Sequence, residues 1–208
     1  MKGPAYFIVS LTPADGMTLG ALGIAGAGLL VALDGLLSLA IALMLLAMLV
    51  DMLDGAVARR MGWESEFGRY LDSFADVFTY LLLPLFILFQ FGMQDALSVT
   101  ALFAFLAAGF LRLSRFNIIG TVQEAGVEYH LGLQVIWSHL LVVLVFPAWH
   151  WLGDAVRFPV AAVLLGMSFL MVRNLKFRKP TQYPALALLI LSVASAYALL
   201  HFRGVTAP

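Results

Sequence analysis

Four aspartates stand where apolar residues dominate. Asp51 and Asp54 follow the run Leu36 to Val50, and Asp72 and Asp76 interrupt the stretch Phe67 to Phe91. An unpaired carboxylate inside a bilayer costs roughly 2.5–3.5 kcal/mol on insertion scales. Four of them close together would also repel one another, so cations, protonation or arginine partners must hold them. Asp51 and Asp54 are i, i+3 and Asp72 and Asp76 are i, i+4, so each pair shares one face of its helix. The link between the pairs, about residues 59–67 with Gly62, Glu64, Ser65 and Glu66, is short. A short link makes the two helices antiparallel neighbours and brings both pairs to the same end. Converging carboxylates make a hard-oxygen cage suited to Mg²⁺, Mn²⁺ or Ca²⁺. Two other readings use the same residues: solvated acids paired with Arg59, Arg60 and Arg69, or a proton or cation pathway of a transporter.

The residues between the acids suit a ligand. Gly55 and Ala58 keep the helix surface low beside Asp54, and Gly68 permits close approach of a facing helix. Arg59 supplies a fixed cation of the kind that binds phosphate. Softer metal chemistry has no support. The chain has no cysteine, and His130, His139, His150 and His201 show no ligand spacing. The absence of cysteine also excludes a disulfide scaffold, an iron–sulfur cluster and a thiol nucleophile. No glycine-rich phosphate-loop string occurs.

The elements that must carry these acids are helices in a membrane. Of 208 residues, 62% are hydrophobic and 12% charged, and the mean hydropathy is +0.98. A soluble monomer of this composition would expose large apolar patches, and disorder is excluded for the same reason. With net charge zero, the chain offers no basic body to nucleic acid. A spanning helix needs about 20 apolar residues. Seven such segments are expected, at 16–33, 35–58, 68–91, 96–119, 131–152, 156–173 and 182–202. The expected fold is therefore an all-α polytopic bundle forming one domain over 1–208, with a short interfacial helix within 1–15 in place of a cleavable signal. Seven spans put Lys2, Arg59, Arg60, Arg69, Arg112, Arg115, Arg173, Lys176, Arg178 and Lys179 on one side, and only Arg157 and Arg203 on the other. The positive-inside bias makes the first side cytoplasmic, together with the amino terminus and the aspartates.

The full pattern reads Asp51-x2-Asp54-Gly55-x2-Ala58-Arg59-x8-Gly68-x3-Asp72-x3-Asp76. It resembles the defining motif of the CDP-alcohol phosphotransferase family, DxxDGxxARx(8)GxxxDxxxD, at every fixed position. The resemblance implies that Asp51, Asp54 and Asp72 bind a pair of divalent cations, Mg²⁺ or Mn²⁺. It also implies that Asp76 completes the site and acts as general base, and that Gly55, Ala58 and Gly68 leave room for the cytidine nucleotide. Thr18 falls where the family's first span carries P-A-N-x-x-T. Here the string is Pro13-Ala14-Asp15-Gly16-Met17-Thr18, with Asp for Asn.

Further stretches resemble the phosphatidylserine synthase branch. They are Ser65-Glu66-Phe67-Gly68, Leu71 to Val77, and Arg112-Leu113-Ser114-Arg115-Phe116-Asn117. The chain departs from that branch at Thr79-Tyr80-Leu81 before Pro84, and at Gly132-Leu133-Gln134-Val135-Ile136. The resemblance implies transfer of a phosphatidyl group from CDP-diacylglycerol to a small polar alcohol, L-serine first, with release of CMP. A glycerol- or inositol-phosphate is the alternative acceptor, and a homodimer is implied. Arg112 and Arg115, i, i+3 near the end of the fourth span, suit a substrate phosphate or carboxylate or else lipid headgroups. Asn117 adds an orienting amide.

Overall fold

In hydrocarbon every backbone polar group must find its partner within the protein, and uninterrupted apolar runs of about 20 residues do so as helices rather than as the alternating strands of a barrel. The computed structural model describes residues 9–124, 126–178 and 183–204. It contains α1 (Pro13–Leu33), α2 (Leu37–Met61), α3 (Glu66–Asp76), α4 (Leu83–Gln90), α5 (Ala96–Ile119), α6 (Trp137–Leu152), α7 (Arg157–Val172) and α8 (Tyr183–Phe202). A π turn, Val77–Leu82, joins α3 to α4, so Glu66–Gln90 is one long span. Among the described residues, six helical stretches are long and apolar enough to cross a membrane. Side chains such as Phe103, Ile118 and Trp151 stand exposed on the outside, as lipid-facing residues would.

Local signals set the ends. Thr12 and Asp15 form a reciprocal capping box, with the Asp15 N–H donating to Thr12 Oγ1 at 3.2 Å and the Thr12 N–H to Asp15 Oδ2 at 2.7 Å. With Pro13 in the first turn, α1 starts three residues before the expected span. Residues 9–12 are not helical, and the rest of the interfacial helix expected in 1–15 falls on residues 1–8, outside the described residues, or within α1. Gly62, at φ +68°, stops α2 in the left-handed conformation. Ser65 then caps α3 by accepting from the Gly68 N–H at 2.8 Å.

The expected fifth and sixth spans lie in one 36-residue stretch, Trp137–Val172. It folds back at Gly153 (φ +53°) and a 3-10 turn, Gly153–Val156, into α6 and α7. Each has 16 residues and is about 24 Å long at 1.5 Å per residue. The reversal is fixed at both ends. Arg157 pairs with Asp95, which precedes α5. At the other end, strands flanking the hairpin pair with each other.

Those strands are a departure from an all-helical chain. β1 (Val122–Glu124), β2 (Val127–Leu131) and β3 (Lys176–Arg178) form an antiparallel sheet in the order β1-β2-β3. Val122 faces Tyr129 and Leu131 faces Lys176, and an ion pair joins Lys176 to Glu124. Val127, Tyr129 and Leu131 alternate with Glu128 and His130, a period of two that suits a strand. The sheet takes Leu131 and residues 132–136 form a non-helical turn after it, so α6 starts at Trp137 rather than at the expected 131. It also puts the links after α5 and α7 at the same end of the bundle.

The core lies between α2, α4, α5 and α7, around Ile41, Met44, Leu83, Ile87, Phe105 and Leu164. α1 packs along α2, and α3 packs chiefly on α1 rather than backbone to backbone on α2. A gap therefore separates the last turns of α2 from α3, and the aspartates look into it.

Candidate active site

Each acidic pair reaches the gap from its own helix. Asp51 and Asp54 occupy the second half of α2, and Asp72 and Asp76 the second half of α3. One carboxylate oxygen each from Asp51, Asp72 and Asp76 lies within 4.8 Å of the others, and all three residues are half-buried. Among the described residues no histidine or cysteine joins this group. Three anionic oxygens so close, held below the surface, fit a hard dication and no soft one.

Asp54 is placed differently. It is buried and accepts a hydrogen bond from Thr18 Oγ1 of α1 at 2.6 Å. It lines a cavity of about 630 Å³ together with Asp72, Gly55, Ala58, Arg59 and Gly68. Asp72 thus belongs both to the carboxylate group and to the cavity wall. The motif residues are brought together as the spacing expects, with one change of partner at Gly68. A β-carbon there would stand 2.8 Å from Asp15 Oδ1 and 3.0 Å from Ser65 Oγ. The close neighbour of Gly68 is therefore the start of α1, not α2. At Gly55 an added β-carbon would meet the Arg59 guanidinium at 3.3 Å, so Arg59 lies back over the bare glycine at the cavity mouth. Asp15 is buried in the same wall, with Oδ2 engaged by Thr12.

The arginine pair of α5 is divided. Arg112 is 8% exposed and lies over the Phe116 ring with its charge acting on Asp76, whereas Arg115 is exposed. Asn117 accepts from Ser73 Oγ at 3.0 Å and ties α5 to α3 between the two aspartates. Three residues that spacing did not single out complete the surroundings. Tyr80, in the π turn, donates its hydroxyl hydrogen to Asp51 Oδ2 at 2.7 Å. Its ring packs on His139 of α6 at 4.7 Å, and Ser138 Oγ donates to its carbonyl at 2.7 Å. The sequence signal for this cluster is Pro84. A proline has no N–H for the carbonyl four residues back, and that residue is Tyr80.

Comparison with known proteins decides what this geometry belongs to. The family model for CDP-alcohol phosphatidyltransferases matches residues 11–205, nearly the whole chain. The chain belongs to the CDP-alcohol phosphatidyltransferase family. Within that family it is 31% identical over 137 residues, 66% of this chain, to a CDP-diacylglycerol–serine O-phosphatidyltransferase of Methanocaldococcus jannaschii. It is 27% identical over 137 residues, 62% of this chain, to the protein of the same name from Bacillus subtilis. It is 32% identical over 169 residues, 76% of this chain, to a phosphatidylcholine synthase of Rhizobium meliloti. The matched stretches span 62%, 69% and 66% of those relatives' own lengths.

Proposed function

We propose that this protein transfers a phosphatidyl group from CDP-diacylglycerol to the hydroxyl of L-serine and releases CMP. The observation that carries this is the convergence of Asp51, Asp72 and Asp76 within 4.8 Å beside a cavity walled by Asp54, Arg59 and Asp72. Two Mg²⁺ or Mn²⁺ ions would be held by Asp51, Asp54, Asp72 and Asp76. When bound, they would neutralise the pyrophosphate and the charge that builds on the departing CMP oxygen. Gly55, Ala58 and Gly68 leave the cavity wall without side chains where the nucleotide lies, and Arg59 pairs with a phosphate at its mouth. Thr18 holds the Asp54 carboxylate in place.

Asp76 takes the proton of the acceptor hydroxyl as that oxygen forms its bond to phosphorus and the phosphorus–oxygen bond to CMP breaks. Buried Arg112 stands beside Asp76, where it can receive the serine carboxylate. Asn117 braces α3 against α5 and sets the separation of Asp76 from Arg112. Arg115 meets lipid headgroups. The end bearing the cavity carries Arg59, Arg60, Arg69, Arg112, Arg115, Arg173, Lys176 and Arg178, and we assign it to the cytoplasm. There a water-soluble acceptor and a bilayer-held donor meet. A homodimer is the assembly expected of such a chain.

Choline is the second acceptor to test, because the Rhizobium meliloti relative aligns over more of the chain than the two serine relatives described above. The test is CMP release by purified protein given CDP-diacylglycerol, with serine, choline, glycerol-phosphate or inositol-phosphate, and with or without Mg²⁺ or Mn²⁺. Release with serine that needs the dication supports the proposal. Release only with choline or with a phosphorylated polyol rejects serine, and release undiminished by chelation rejects the cation site.

A further inference from the structure

Tyr80 occupies a position that requires three separate concessions from the chain. Pro84 withholds the N–H that would bond the Tyr80 carbonyl in an α-helix. The segment Val77–Leu82 accordingly winds as a π turn, and the Leu83 N–H bonds the Phe78 carbonyl five residues back. Such turns inside helices occur frequently at functional sites. On α6, Ser138 is 1% exposed, and its hydroxyl donates to the freed Tyr80 carbonyl. On α5, Gly109 makes room for the widened turn, since a β-carbon there would collide with the Leu81 side chain. Three helices thus specify one local distortion. Its product is a phenol hydroxyl, 4% exposed as a residue, aimed at Asp51 Oδ2.

A buried tyrosine hydroxyl needs an acceptor, and here the acceptor is one oxygen of a carboxylate in the acidic group. With Oδ2 committed to the phenol, Oδ1 is the Asp51 oxygen left to serve a cation in the acidic group. Hydrogen bonds from outside a metal site orient the ligating groups in this way. The number of oxygens a carboxylate can offer matters to the choice of ion. Ca²⁺ accepts 6–8 oxygens and takes bidentate carboxylates readily, whereas Mg²⁺ demands a tight octahedron.

We propose that Tyr80 is a positioning residue that restricts Asp51 to one ligand oxygen and so biases the site toward Mg²⁺ or Mn²⁺ over Ca²⁺. The inference rests on the reading of the aspartates as a cation site. Tyr80→Phe keeps the ring on His139 and removes only the hydroxyl. Asp51 Oδ2 is then released, and bidentate binding of the larger ion becomes available.

The test uses full-length protein in detergent micelles and reads binding, not turnover. Bound Mn²⁺ is measured by electron paramagnetic resonance and displaced with Mg²⁺ or Ca²⁺. In Tyr80→Phe the ratio of Ca²⁺ to Mg²⁺ competition is expected to rise about fivefold or more, on the scale of a lost hydrogen bond to a charged group. Ser138→Ala keeps the phenol but removes the bond that fixes the Tyr80 backbone, so the hydroxyl loses its aim at Asp51 and the ratio is expected to shift the same way. It decides the matter alone if Tyr80→Phe does not yield folded protein. Asp51→Asn is the control on the underlying reading. If Asp51→Asn binds Mn²⁺ as well as the unsubstituted protein, the cation site itself fails and the inference falls with it. If Asp51→Asn loses Mn²⁺ while the ratio in the folded Tyr80 and Ser138 variants stays within about twofold, the inference alone is overturned.

Discussion

Thr18→Val removes a hydroxyl that donates chiefly to Asp54 and, at a longer 3.3 Å, to the Ala14 carbonyl of its own helix. Thr18 and Asp54 are 6% and 3% exposed, and 2.6 Å separates the hydroxyl from the carboxylate. Valine replaces the hydroxyl by a methyl of similar size, so no cavity opens and α1 keeps its contacts with α2. What remains is the loss of a charge-assisted bond, about 1.5–3 kcal/mol. Surface pairs of similar length are worth far less because water replaces the partner. Here the burial of both side chains removes that remedy. If the bond holds Asp54 for a cation and the pyrophosphate, the full loss is felt in the transition state. At about 1.4 kcal/mol per factor of ten, kcat/KM for CDP-diacylglycerol should fall roughly ten- to a hundred-fold. The assay is CMP release at saturating acceptor and Mn²⁺, with the melting temperature followed in parallel. A variant that retains kcat/KM within about threefold would refute the reasoning, because Asp54 would then need no support from α1.

Three other outcomes follow from the same geometry. Asp76→Asn should abolish CMP release while CDP-diacylglycerol binding is largely retained; turnover near that of the unsubstituted protein would remove Asp76 from the base role. Arg112→Gln should raise the KM for serine by about tenfold or more, the scale of one charge-assisted bond, and should change the KM for CDP-diacylglycerol little; an unchanged serine KM would count against carboxylate recognition there. At the opposite end, Asp95 caps α5 by accepting from Ser98 Oγ and from the Leu97 and Ser98 N–H groups. These bonds, with the Arg157 charge, hold its carboxyl below the usual carboxylate range. A lowered folded value adds stability above the ordinary carboxylate pKa and loses it as pH falls through the folded value. The melting temperature should therefore drop more steeply with acidification than it does in Asp95→Asn, and parallel curves would contradict this.

Much of the scaffold was legible because hydrophobic run length is a direct record of the bilayer. The fourth expected span, 96–119, coincides with α5, and the others differ by a few residues at their ends except at α6. The motif was legible for a related reason: acids within apolar runs are costly enough to be conspicuous. What remained hidden depends on partners far away in sequence. The three-residue strands β1 and β3 are too short to show a period, and they exist because the α6–α7 hairpin returns them to β2. Arg112 and Arg115 look alike in sequence, and only the packing of α5 buries one and exposes the other. Short links suggested that α2 and α3 pack directly, yet α3 leans on α1. The capping box at Thr12 and Asp15 and the close approach at Gly68 place α1 there.

That displacement of α3 bears on the chemistry. Helices packed at their usual separation of about 8–10 Å would press four carboxylates together with no space for a nucleotide. Here α1 carries the packing load of α3, through Asp15 against Gly68, and the interval between α2 and α3 is left open for the ions and substrate of the proposed reaction. The same α1 sends Thr18 across to Asp54, so the helix that holds the gap open also orients one of its walls. On the far wall the π turn and α6 do the same for Asp51 through Tyr80. Each aspartate of α2 is thus held by a hydroxyl from a different neighbouring helix, and the two on α3 by the brace between Ser73 and Asn117. A site built this way should lose order in pieces. Removal of one hydroxyl should disturb its own aspartate and leave the remaining carboxylates in register.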